Sequence, residues 1–146
     1  MIKRLSLLFL FVLIVSGCGK PPNVGMSPLV SDAYITKKEF GTYNNTPGQY
    51  YIKKETISYS SYMADLDYRL YVDVTDVDRD IEKIKISGAF ELSVSIGSMT
   101  ENYETWYVSI GNELDDLGKG SHTIYVAAVD DRENQSNQFS LEFVLN

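Results

Sequence analysis

With 146 residues the chain has room for one domain, and a formal charge of −7, from 13 Lys and Arg against 20 Asp and Glu, removes the electrostatic basis for a nucleic-acid partner. Its single cysteine, Cys18, excludes an internal disulfide, so the fold must be held by its hydrophobic core. Eleven tyrosines among many threonines, valines and isoleucines, with no sustained helical period, point to strands.

The chain opens on a positive segment with Lys3 and Arg4, followed by an apolar run over residues 5–15 that only Ser6 interrupts. A membrane span needs roughly 20 apolar residues, so this run is too short to serve as one. It ends on Val15-Ser16-Gly17-Cys18, small residues before a cysteine, as a signal peptidase requires. Residues 1–18 resemble the bacterial lipoprotein signal, with Val15 where leucine is commonest. That resemblance implies cleavage after residue 17, lipidation (a diacylglycerol on sulfur and an acylated amine, such as palmitate) at Cys18, and a membrane-anchored protein of the cell envelope. Gly19, in place of the aspartate that marks inner-membrane retention, favours the outer membrane where there is one. Loss of residues 1–17 removes two positive charges and takes the net charge from −7 to −9.

Residues 19–32 hold three prolines among small and polar residues and read as a tether, about 14 residues with an end-to-end distance of roughly 20 Å. Residues 33–62 carry six tyrosines around a turn cluster at 44–48, which predicts two short extended segments. The expected organisation is a signal peptide over 1–17, a lipidated cysteine and tether with a Tyr-containing extended segment over 18–49, and a β-sandwich over 50–146.

From Asp67 the period is two. Tyr68, Leu70, Val72 and Val74 alternate with polar residues, then Ile84 and Ile86, then, past Gly88, Phe90, Leu92, Val94 and Ile96. Gly88 marks a bulge, a bend or a turn. After a turn over 97–102, Trp106, Val108 and Ile110 share one face. A connection with Leu114 and Leu117 leads to His122, Ile124, Val126 and Ala128, an acidic turn over 130–137, and Phe139, Leu141, Phe143 and Leu145. Six or seven strands at this spacing predict an all-β, two-sheet sandwich.

Residues 117–137 resemble the penultimate strand and last turn of bacterial immunoglobulin-like domains, with Leu117, Gly120, Ile124, Val126, Ala128, Asp130, Asn134 and Ser136 at the pattern positions. Here His122 replaces the corner tyrosine and Glu133 the usual glycine. Residues 72–88 are similar to the segment of that family where an acidic turn joins the second and third strands. The resemblance implies an immunoglobulin-like sandwich and no activity.

His122, the only histidine, is expected to pack at the corner and hydrogen-bond backbone; Ser121 beside it points to the opposite face. No nucleophile elbow, phosphate loop or metal-binding Cys/His spacing is present, so no catalytic residue is assigned and no enzyme is expected. Asp76-x-Asp78-x-Asp80 begins like an EF-hand, but Ile81 and Ser87 stand where glycine and glutamate are required. In a sandwich of this type the two acidic loops share one end, bringing Asp76, Asp78 and Asp80 near Asp130, Asp131 and Glu133. A Ca²⁺ ion held by Asp76, Asp78, Asp80 and Asp130 would relieve their repulsion; a solvated acidic cluster is the other reading. Trp106 reads as core. For the tyrosines between Tyr34 and Tyr62 two readings stand, packing on the sandwich or a recognition surface, tyrosine offering contact area at low entropy cost.

The expectation is therefore a lipid-anchored binding or adhesion module that meets an envelope protein or a glycan. The alternative is an accessory structural subunit of an envelope secretion or transport assembly.

Overall fold

The computed structural model describes residues 25–59, 63, 66–95 and 105–146. The expected signal segment with Cys18, residues 19–24 of the expected tether, Tyr62, Ile96 and the expected turn over 97–102 lie outside the described residues.

The chain is an all-β sandwich. Strands β1 (Leu29–Tyr43), β2 (Thr46–Lys53), β4 (Tyr68–Thr75) and β7 (Thr105–Ser109) form one sheet in the order β2-β1-β4-β7. Strands β3 (Thr56–Ile57), β9 (Phe139–Leu145), β8 (Gly120–Asp130), β5 (Ile81–Gly88) and β6 (Leu92–Ser95) form the other, in the order β3-β9-β8-β5-β6. The short β3 pairs parallel to β9; the other pairings are antiparallel.

The core follows from the period. Tyr68, Leu70, Val72 and Val74 of β4 turn inward against Ile124, Val126 and Ala128 of β8, with Trp106 2% exposed between the sheets. Each aliphatic side chain so buried contributes roughly 1.5–3 kcal/mol. On β5 a register shift between Ile81 and Lys83 resets the alternation, so Ile81 faces inward together with Ile84 and Ile86. Gly88 ends β5 at φ +105 and is followed by a bend, and a Cβ there would lie 2.6 Å from the Thr123 carbonyl oxygen. The connection after β7 holds a single helical turn, α1 (Gly111–Asp115), whose Leu114 is fully buried.

Residues 29–49 lie inside the sandwich, not ahead of it. β1 pairs with β4 from Leu29 to Lys37 and with β2 from Thr36 to Tyr43, so the domain begins well before residue 50. The sequence pattern hid this for a physical reason. Only Val30, Ala33 and Ile35 of β1 reach the core, and a register shift between Val30 and Asp32 breaks their alternation. The turn is the two-residue Asn44-Asn45, with φ of 47° and 62°, the positive pair a tight hairpin needs. Pro47 is tolerated because β2 is an edge strand with no ladder partner on its outer side.

Candidate functional site

The outward side chains of the four-stranded sheet include four tyrosines. Tyr34 lies opposite Tyr71, and Tyr71 opposite Tyr107, so three rings form a row across β1, β4 and β7. Tyr34 and Tyr71 stack with centroids 5.5 Å apart and planes within 3°, and Tyr107 follows at 5.4 Å. Tyr51 on β2 joins from the side, 6.2 Å from Tyr71. The Arg69 guanidinium sits 4.0 Å from the Tyr51 ring centroid and 4.3 Å from that of Tyr107, cation–π contacts worth about 0.5–1 kcal/mol each when exposed. Lys53 Nζ lies 5.0 Å from the Tyr34 centroid.

Charges on this face are paired. Asp67 accepts from the Tyr51 hydroxyl at 2.6 Å and faces Arg69 at 3.3 Å and Lys38 at 3.7 Å, while Lys53 meets Asp32 at 4.0 Å. Burial alone would raise the Asp67 carboxyl, but the Tyr51 bond and the Arg69 and Lys38 charges outweigh it and hold the pKa below the usual carboxylate range. Burial and the bond to Asp67 push the Tyr51 phenol above its ordinary value. The outcome is a nearly neutral aromatic surface on a chain of net charge −7.

Beyond residue 38 the β1–β2 hairpin runs past the end of β4, whose pairing with β1 stops at Lys37 and Tyr68. This arm presents Phe40, 77% exposed, and Tyr43, 65% exposed. Tyr43 and Tyr50 rest together at 5.8 Å, and the Tyr50 ring lies close over Gly48, where a Cβ would come within 3.1 Å of its hydroxyl.

The acidic loops converge, but as a backbone clamp. Asp76 accepts from the N–H groups of Asp78 and Asp80. The buried Asp130 accepts from the N–H groups of Arg132 and Asn134 and from Asn134 Nδ2, so both of its oxygens are engaged. Asp78 Oδ2 takes the Met26 N–H at 2.9 Å, and Arg132 Nε stands 3.8 Å from Asp80 and 3.9 Å from Asp131, a cation already present in the cluster. Among the described residues no group of three or more His, Cys, Asp or Glu side chains is arranged to hold a metal ion, and Asp76 and Asp130 direct their oxygens to neighbouring N–H groups. Burial, then the charges of Asp76, Asp131 and Asp130, raise the Asp80 pKa. The Asn137 side chain completes the clamp. Its Oδ1 accepts from Val30 N–H at 2.9 Å and its Nδ2 donates to the Val30 carbonyl at 3.0 Å, tying the start of β1 to the segment before β9.

His122 packs on Phe143 with ring centroids 5.6 Å apart, and its Nε2 donates to the Gly118 carbonyl at 2.7 Å, the structural role expected of it. Trp106 is core. Of the aromatic face, sequence reading singled out Tyr34 and Tyr51 but missed Tyr71, Tyr107 and Arg69. The available signal was the placing of Tyr71 and Tyr107 on the outward half of the alternation, where sandwich strands are ordinarily polar.

No protein-family model and no curated protein matches this chain. Among solved structures the chain is similar to the endo-β-1,4-mannanase from Thermotoga petrophila, with a TM-score of 0.42 and 8% sequence identity over 79% of this chain and 20% of that one. The chain thus spans about a fifth of that structure's length.

Proposed function

We propose that this chain is a lipid-anchored, immunoglobulin-like binding module of the bacterial cell envelope, in the outer membrane where there is one, without catalytic activity, and that its four-stranded sheet engages an envelope protein. The observation that carries this reading is the Tyr34–Tyr71–Tyr107 row on an outer sheet face. Core packing does not require it, and such faces are normally polar. Because Tyr34 and Tyr71 stack flat on each other and Arg69 fills the space between Tyr51 and Tyr107, the flat ring faces are largely used. Ring edges and hydroxyls remain, a surface suited to a protein partner more than to sugar stacking. The strand partition, β1-β4-β7 against β6-β5-β8-β9, supports the immunoglobulin-like reading, since those sandwiches divide their strands in this way.

The clamp at the acidic loops favours an orientation. The tether enters at that end, and β1, 15 residues long, carries the hairpin turn roughly 45–50 Å away from it. Recovery of partners from native membranes through a C-terminal tag tests the reading. Wild type should capture a discrete set of envelope proteins, and Cys18→Ser and Tyr71→Ala should each lose it; capture unchanged by Tyr71→Ala would count against this face. Exposed Phe40 and Tyr43 beside the free edge of β2 favour a second reading, an accessory subunit that docks by its hairpin. In that case Phe40→Ser, and not Tyr71→Ala, abolishes capture.

A further inference from the structure

The opposite sheet carries a different kind of surface. On its outer face a groove of about 430 Å³, within the range of small-ligand sites, runs across β6, β5 and β8. Its floor is made of small residues, Ala127, Ser87 and Ser93, brought together by the pairing of Lys85 with both Ala127 and Ser93 and of Ser87 with Tyr125. Tyr125, 40% exposed, rises from this floor. Unlike the tyrosines of the four-stranded sheet, it has no aromatic neighbour among the described ring pairs. Its ring edge lies against Gly88, where a Cβ would come within 3.3 Å of Tyr125 Cδ2.

The far wall is formed by Gln135 and Gln138. These two amides flank an anchored pair. Ser136 is buried, donating its N–H to the Ala128 carbonyl at 2.9 Å and accepting the Ala128 N–H at 2.8 Å, and Asn137 is held on Val30. The segment carrying the wall is therefore fixed before any ligand arrives, which lowers the cost of binding.

The chemistry of the lining selects a ligand class. Glutamine amides and serine hydroxyls both donate and accept, matching a molecule that does the same at many points. A free tyrosine ring adds a flat apolar surface, and the C–H face of a pyranose is the natural complement to it. The lining holds two charged residues of opposite sign, Lys85, which stands on the floor between Ala127 and Ser93, and Glu91, so its formal charge sums to zero. An anionic ligand would find no net positive charge, and an apolar one would leave the amides and hydroxyls without partners. We propose that this groove binds a neutral saccharide, stacked on Tyr125 and hydrogen-bonded by Gln135 and Gln138. The site lies on the sheet opposite the tyrosine row and stands independently of the protein contact proposed there.

The test is native affinity electrophoresis of the full chain in a sugar-free detergent, through gels containing dextran, hydroxyethyl cellulose, arabinoxylan or galactomannan, with alginate as the anionic control. At least one neutral polymer should retard the protein and alginate should not. Tyr125→Ala should weaken the retardation about tenfold or more, the loss of roughly one stacked ring. Gln138→Ala, at an exposed position that leaves Ser136 in place, should weaken it as well, so the proposal stays testable even if Tyr125→Ala melts early. Tyr71→Ala should leave it intact. Absence of retardation by all four neutral polymers would overturn the proposal, as would retardation that survives both groove substitutions or that is lost with Tyr71→Ala alone.

Discussion

The Tyr51 hydroxyl donates to Asp67 Oδ2 across 2.6 Å, joining the outermost strand of one sheet to the residue that introduces β4. Asp67 titrates below the usual range, so the stability linked to its carboxylate is fully present above the ordinary aspartate value of about 3.9 and is lost as pH falls through the depressed one. Tyr51→Phe removes the donor and leaves the ring. It should move the Asp67 titration upward, read by NMR of the carboxyl carbon, and cost about 0.5–1.5 kcal/mol in urea unfolding at pH 7. An unmoved Asp67 titration would mean that Arg69 and Lys38 alone hold the carboxylate.

Glu133 adopts φ +67 in the turn after β8, the left-handed region that favours glycine. A side chain in that region costs about 1–2 kcal/mol, part of which glycine returns through its freer unfolded state. Glu133→Gly should therefore stabilise the fold by about 0.5–1 kcal/mol, seen as a higher urea midpoint with an unchanged slope.

Gly88 makes the opposite case. At φ +105, with the Thr123 carbonyl oxygen 2.6 Å from where a Cβ would stand, Gly88→Ala meets both backbone strain and a backbone clash. The expected loss is about 2–4 kcal/mol in thermal or urea melts. A neutral result would show that the end of β5 moves away from β8 without penalty.

Asp80 has a raised pKa, so its favourable contribution is present below about 3.9 and disappears as pH climbs through the elevated value. At neutral pH the buried Asp80 Oδ1, which has no hydrogen-bond partner among the described residues, leaves the carboxylate a net burden. Its ion pair with Arg132, at 3.8 Å, is long enough to return little. Asp80→Asn should raise Tm by about 2–5 °C at pH 7 and by progressively less on acidification towards pH 3. Millimolar CaCl₂ should leave Tm unchanged in both proteins, because the oxygens of Asp76 and Asp130 already serve backbone donors; a calcium-dependent rise would restore the metal site.

Strands with a strict period of two were legible before any coordinates. β4 buries all four residues the pattern names, β8 buries Ile124, Val126 and Ala128, β9 buries Phe143 and Leu145 with Phe139 and Leu141 half-buried, and Trp106 is core as its register with Ile110 implies. β1 was not legible as part of the domain, because its inward residues are few and its bulge shifts them out of phase. The aromatic row was legible only in halves. Tyr34 stood out in a tyrosine-rich segment, but its stacking on Tyr71 depends on cross-strand register, which local composition does not encode. The acidic loops illustrate a different limit: their convergence followed from the topology, whereas the spending of Asp76 and Asp130 on neighbouring N–H groups depended on turn geometry.

The amide of Asn137 on Val30 has a mechanical consequence. A pull on the residues ahead of Leu29 runs along the axis of β1, so its rungs to β4 and β2 are loaded in shear, side by side, instead of being unzipped one at a time. Asn137 passes part of that load across to the second sheet at Val30, only one residue into the ladder that begins at Leu29. A tug arriving at this end would meet a strand secured at its first residues, and the resistance to force comes from the strand that the sequence pattern left outside the domain.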